Sequence, residues 1–214
     1  VGSWHPPNLE AVETIFEIAG ELPHVKFLLV GSQRIPLAHR SRPKNVGLMG
    51  VVDDETMAVL LGLADIALNP MLGGSGTNLK MATYLASGVP VITTTQGARG
   101  YGLIDVEQVL ICPVEDFPRK IVQPLNDRTL AERLAFCGRR LVEERYDWGR
   151  IGADVATALW SLLNLPSQVR DILVDLIDQA SSEIADLGTS EDHVLVRRIA
   201  ETLGEFSPRT ASGG

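Results

Sequence analysis

The stretch from Asn69 to Gly100, NPMLGGSGTNLKMATYLASGVPVITTTQGARG, limits the possible folds more than any other part of the chain. It reads as one βαβ unit. Ala64–Pro70 is an apolar strand that runs into a glycine-rich loop, Gly73, Gly74, Ser75 and Gly76. The pattern predicts a helix from Thr77 to about Ser87, ended at Gly88, where a residue without a Cβ takes the left-handed conformation at little cost. Val89-Pro90-Val91-Ile92 then opens the next buried strand. A glycine loop feeding a helix start gathers free backbone N–H groups at the positive end of a helix dipole, a place suited to phosphate. The loop lacks the Gly-Lys-Ser/Thr ending of a Walker loop and the third glycine of a dinucleotide fingerprint. A bare strand-to-helix turn without a ligand is the competing reading of such a loop.

The same rhythm extends in both directions. Asn8 to Glu21 places Leu9, Val12, Ile15, Phe16 and Ala19 on one helical face, and Pro6-Pro7 favours a sharp helix start. Lys26–Gly31 is a short apolar run, as expected of a strand buried on both faces. Pro43–Gly50 gives another strand, and Asp53-Asp54-Glu55 opens a helix to Leu63. Gln108–Pro113 is a further strand candidate, and Val1-Gly2-Ser3 reads as the last residues of a strand whose beginning is missing. Strands alternating with helices predict an α/β fold with a doubly wound parallel sheet. Ligands of such sheets bind beyond the strand carboxyl ends, where Gly2, Ser3, Gly31, Gly50, Val51 and the Gly73–Gly76 loop would gather.

Arg128–Glu144 and Trp148–Leu163 read as amphipathic helices. Beyond Pro166, Val169, Ile172, Leu173, Leu176, Ile177, Ala180, Ile184 and Leu187 form an apolar stripe that ends at Gly188, and Val194–Phe206 carries a second one. The expected organisation is a Rossmann-like domain over 1–165, a helical hairpin extension over 166–206 that packs on the domain or on a second copy, and a disordered tail over 207–214. A chain of 214 residues with 45% hydrophobic residues has material for such a core. A net charge of −8 argues against a general nucleic-acid binder, which needs basic surface. Cys112 and Cys137 have no metal-ligand spacing and lie in apolar surroundings, so buried thiols in a reducing, cytoplasmic setting are expected, with no metal site. No apolar run approaches the ~20 residues that span a bilayer.

The ordered motifs carry a family likeness. Gly74-x-Gly76-Thr77-Asn78-Leu79-Lys80, then Tyr84-Leu85-Ala86-x-Gly88-x-Pro90-Val91-Ile92-x-Thr94 and Gly97-Ala98-Arg99-Gly100, resemble the nucleotide-sugar-binding half of retaining GT-B glycosyltransferases of the group 1 type. Val1–Asn8, Phe27–Gly31, Asn45–Gly50 and Ala64-Asp65 are similar to other segments of that half, and the likeness covers roughly Val1 to Leu165. It implies a domain that holds a nucleoside diphosphate sugar such as a UDP- or GDP-sugar, with no cofactor and no metal. A separate N-terminal domain would hold the acceptor and supply catalytic residues, so a chain of this half is expected to be inactive alone. The likeness further implies a terminal helix, here Trp148–Leu163, returning across the cleft; for the full protein, a cytoplasmic location is expected, with docking at the periphery of the inner membrane left open.

Residue by residue, Gly74, Ser75, Gly76 and Thr77, with Asn78 behind them, would offer N–H groups to the sugar and β-phosphate. Lys80, Arg34 and Arg99 are candidate cations for the diphosphate, against default roles as solvated or ion-paired side chains. His5, in Ser3-Trp4-His5, stands where the family often has a phosphate-gripping Arg. Many members carry two carboxylates that orient the sugar and bind the ribose hydroxyls. Here those positions fall near Ser75 and on Thr83, eight positions apart, and neither is acidic. A lost charge-assisted bond is worth about 1.5–3 kcal/mol in a buried site. Two other readings stay open: a non-catalytic nucleotide-sugar-binding or interaction module, and a nucleotide-sugar epimerase of the same architecture, which usually has acids and histidines absent here.

Overall fold

The computed structural model describes residues 1–3, 5–74 and 78–163, together with 172 and 175. The chain falls into two units, Val1–Asp147 and Trp148–Gly214. The boundaries expected at 165/166 and 206/207, and the hairpin stripes between them, lie outside the described residues apart from Ile172 and Asp175.

In the first unit, helix α1 (Pro6–Glu21) starts on its proline pair and buries Ala11, Val12, Ile15, Ile18 and Ala19. Strand β1 (Phe27–Val30) follows, then the one-turn helix α2 (Arg34–Leu37) and strand β2 (Val46–Met49). β1 and β2 pair in parallel, Phe27 opposite Val46 and Val30 opposite Met49. Asn45 fastens α1 to this pair. Its amide donates to the carbonyls of Ala19, Leu22 and Val25 at 3.0, 3.0 and 2.9 Å, tying the end of the helix and the turn after it to the start of β2.

Helix α3 (Asp54–Gly62) is capped by Asp53, whose carboxylate accepts from Thr56 N–H at 2.7 Å. The Thr56 side chain first, and its backbone N–H second, hold the Asp53 carboxyl below its usual pKa. Strand β3 (Ala67–Asn69), helix α4 (Leu79–Ala86) and strand β4 (Val91–Thr93) form the expected βαβ unit. Gly88, with φ at +66°, ends α4 as predicted. The one-turn helix α5 (Thr95–Ala98) and strand β5 (Leu110–Ile111) complete a second sheet, in the order β3-β4-β5, all parallel.

Two helices finish the unit. α6 (Phe117–Asn126) was not expected, because Pro118 and Pro124 break the helical signal. Pro118 sits in the first turn, where a missing N–H costs nothing. α7 (Arg128–Arg145) carries i, i+4 pairs such as Arg139–Glu143 on its exposed side. Phe117, Ile121 and Leu134 close one core with Val12, Leu29, Ile92 and Leu110. Met81, Tyr84, Leu85, Val91 and Val109 form the second. Cys112 is buried and its thiol is pushed up to about 11, chiefly by desolvation, whereas Cys137 is half-buried and not fully enclosed as expected.

The strands thus run parallel with helices between them, as the sequence predicts, but their ladders form two sheets. Val1–Ser3 make no strand; Gly2 N–H donates to Val30 O at 3.0 Å. In the second unit, α8 (Trp148–Leu163) spans the range read from its periodicity. Among the described residues no helix is long and apolar enough to cross a membrane.

Candidate functional site

The carboxyl ends of β1, β2, β3 and β4 each lead into a loop that carries predicted site residues. At the first, Gly31 has φ at +128°, and a Cβ there would lie 2.0 Å from Gly2 O. Only glycine lets these two backbones approach so closely. Gly31 N–H also reaches Met49 O and Gly50 O, at 3.2 and 3.1 Å, which draws Gly2, Gly31 and Gly50 together. Arg34 is exposed, and its Nη1 lies 3.6 Å from where a Gly50 Cβ would stand. Val51 beside it is exposed.

Lys80 is the second residue of α4, in the first turn of the βαβ unit's helix. Its Nζ donates to Asn8 Oδ1 at 2.6 Å and contacts Met71 Sδ at 3.6 Å. Asn8 Nδ2 in turn donates to Ser3 Oγ at 3.0 Å, so Ser3, Asn8 and Lys80 form one chain of contacts across 77 positions of sequence. Burial lowers the pKa of the Lys80 amine. Neither of these partners carries charge, and a half-buried ammonium with neutral partners gains most from an anion.

The third cluster joins the glycine loop to α5. Gln96 Nε2 donates to Gly74 O at 3.1 Å, and Arg99 Nη2 stands 3.7 Å from where a Gly74 Cβ would lie, with Pro7 at 3.8 Å. Arg99 also donates to Gln96 O at 3.5 Å. Beneath them, buried Asn69 gives its amide protons to Thr93 Oγ1 (3.3 Å) and Gly97 O (3.1 Å) and accepts from Asn78 Nδ2 at 3.2 Å. Thr94 donates to Met71 O and accepts from Gly97 N–H at 3.0 Å. This network fixes the loop after β3 against the loop after β4.

The structure therefore brings Gly2, Ser3 and Lys80 together, sets Arg99 over Gly74, and places Arg34 beside Gly50. Ser75, Gly76 and Thr77 lie outside the described residues. Thr83 is exposed and its hydroxyl donates to Leu79 O of its own helix at 3.4 Å. His5 is exposed. Sequence reasoning missed Asn8, Asn69, Met71 and Gln96 as site residues. A polar Asn closing the apolar run Ala64–Pro70 was the available signal. Gln33 was also missed: it is buried, its Nε2 donates to Val30 O at 2.9 Å, and its Oε1 has no partner among the described residues.

Parallel strands with flanking helices, and glycine turns at the strand carboxyl ends, define a Rossmann-like α/β protein. The particular family follows from residues 1–127, which match the glycosyl transferases of group 1, and the chain belongs to that family. Similar solved structures share its fold. Sucrose-phosphate synthase from Thermosynechococcus elongatus superposes with a TM-score of 0.64 at 23% identity, over 76% of this chain and 44% of that one. Anabaena Alr3699/HepE in complex with UDP-glucose gives 0.58 at 14% identity, over 70% and 44%. WaaG, a glycosyltransferase involved in lipopolysaccharide biosynthesis, gives 0.53 at 17% identity, over 72% and 45%. The chain thus spans less than half the length of these proteins. No curated protein matches it in sequence.

Proposed function

We propose that this chain is the donor-binding half of a glycosyltransferase that moves a sugar from a nucleoside diphosphate sugar to an acceptor with retention and without a bound metal. The observation that carries this reading is the half-buried Lys80 ammonium, held by the neutral Asn8 and Met71 beside Gly2 and Ser3. A diphosphate there would meet Lys80 first, with Arg99 and Arg34 approaching from the loops after β4 and β1. Its departing charge would be stabilised by groups already in place, the main electrostatic means of speeding such a step. A UDP-sugar donor accords with the UDP-glucose bound to the similar Anabaena protein. The acceptor and the catalytic groups are assigned to a partner domain across the cleft, so the chain alone is expected to sustain no transfer.

A second reading, a non-catalytic nucleotide-sugar-binding module, is favoured by Thr83. An exposed hydroxyl already engaged with Leu79 O stands where proteins it resembles often carry a ribose-binding carboxylate. Calorimetric titration with UDP-glucose, UDP and GDP tests both. Saturable binding that Lys80→Ala weakens about tenfold or more supports the donor site. Tighter binding by Thr83→Glu would mean that the ribose contact has been lost in this chain. No binding of any nucleoside diphosphate would remove the reading.

A further inference from the structure

From Leu22 to Val52 the chain holds no acidic residue, yet it carries Lys26, Arg34, Arg40, Arg42 and Lys44, with His24 and His39. The whole protein has a net charge of −8, so this segment reverses the sign of its surroundings. It spans β1, α2 and β2, and all five of these cations are exposed.

The strand pairing sets where they stand. Phe27 N–H donates to Asn45 O at 2.9 Å, so Lys26 and Lys44 flank the start of the β1–β2 pair. Arg42 Nε donates to Val46 O at 3.1 Å, at the same end. Arg34 lies beside Gly50 at the other end, next to Val51. Among the described residues β2 pairs with β1 alone, so its outer edge runs between these cations over roughly 13 Å at the rise of a strand. Apolar side chains are interleaved with them. Leu28, packed beside Gly47, is 47% exposed, Ile35 75% and Val51 78%. Acids return only at the borders, as Glu13, which pairs with Arg40, and as Asp53, which follows Val52.

We propose that this edge of the β1–β2 pair docks on an anionic lipid surface, with Lys26, Arg42 and Lys44 on the head groups and Ile35 and Val51 sunk among them. A cation near such a surface is worth about fivefold in affinity, and aliphatic side chains add to it by leaving water. Charge alone would serve any polyanion, and the aliphatic side chains decide between partners. A surface for nucleic acid pairs its cations with aromatic rings on which bases stack. Here Phe27, the single aromatic residue of the segment, is buried in the core. The acidic remainder of the chain is repelled by the same lipid surface, which restricts docking to this edge.

The test sediments the full chain with vesicles of phosphatidylcholine alone and of phosphatidylcholine mixed with phosphatidylglycerol. Binding is expected to the anionic vesicles only, and to fall as salt rises. Changing Lys26, Arg42 and Lys44 together to Gln should weaken it about tenfold or more. Ile35→Ser should weaken it severalfold at unchanged charge. Changing Arg119, Arg128 and Arg140 to Gln alters the net charge equally on α6 and α7, and should leave binding near that of the unaltered chain. Thermal melting confirms that each variant is folded. Absence of binding to anionic vesicles, equal losses in the two triple variants, or unchanged binding by Ile35→Ser would overturn the proposal. So would retention of a single-stranded DNA oligonucleotide through Lys26, Arg42 and Lys44 by a chain that ignores the vesicles.

Discussion

Gly97 shows how tightly the site's foundation is packed. A Cβ there would stand 2.4 Å from Thr93 Oγ1, 2.6 Å from Asn69 Nδ2 and 2.8 Å from Asn69 O. These atoms are buried and hydrogen-bonded to one another, so they cannot swing aside. Gly97→Ala is expected to cost about 1–3 kcal/mol, the range for overpacking a filled interior. Urea unfolding should show it as a lower midpoint at unchanged slope, and an unchanged midpoint would mean that the loops after β3 and β4 are not locked together.

At the scale of elements, Asn45 couples α1 to β2 through the carbonyls of Ala19, Leu22 and Val25, of which Leu22 O also accepts from Val25 N–H at 3.0 Å. Asn45→Ala should destabilise the fold by about 1–3 kcal/mol, the cost of stranding buried acceptors. Calorimetric melting checks it, and a loss well under that range would mean that water reaches those carbonyls. Which elements could be read in advance follows from what each signal rests on. α1, α3, α4 and α7 have apolar spacing or caps that local sequence carries, and α4 ends at Gly88 because of a conformation only glycine takes easily. α6 was hidden because Pro118 and Pro124 read as breakers, although tertiary burial of Phe117 and Ile121 outweighs the bond lost at Pro124. α2 and α5 span one turn each, too short to show a period. Strand order is not a local property at all. The break between β1 and β3 arises from which edges meet, and no window of sequence records it.

For the whole molecule, the residues that the sequence singled out and the structure brings into contact are Lys80, linked through Asn8 to Ser3, and Arg99 over Gly74, whereas Ser75, Gly76 and Thr77 lie outside the described residues. The site was illegible where partners meet across long stretches of chain, as Asn8 and Lys80 do over 72 positions. The central claim is that a nucleoside diphosphate binds beyond the strand carboxyl ends, among Gly2, Ser3, Asn8, Gly74, Lys80, Gln96 and Arg99. The most direct measurement is the change in backbone amide NMR signals of the labelled chain on titration with UDP. Saturable shifts are expected to concentrate at those residues, with Val25, Lys26, Gly88 and Val89 at the opposite strand ends unmoved, and the pattern is lost in Lys80→Ala. Shifts confined to the opposite ends, or none at saturating UDP and GDP, would contradict it.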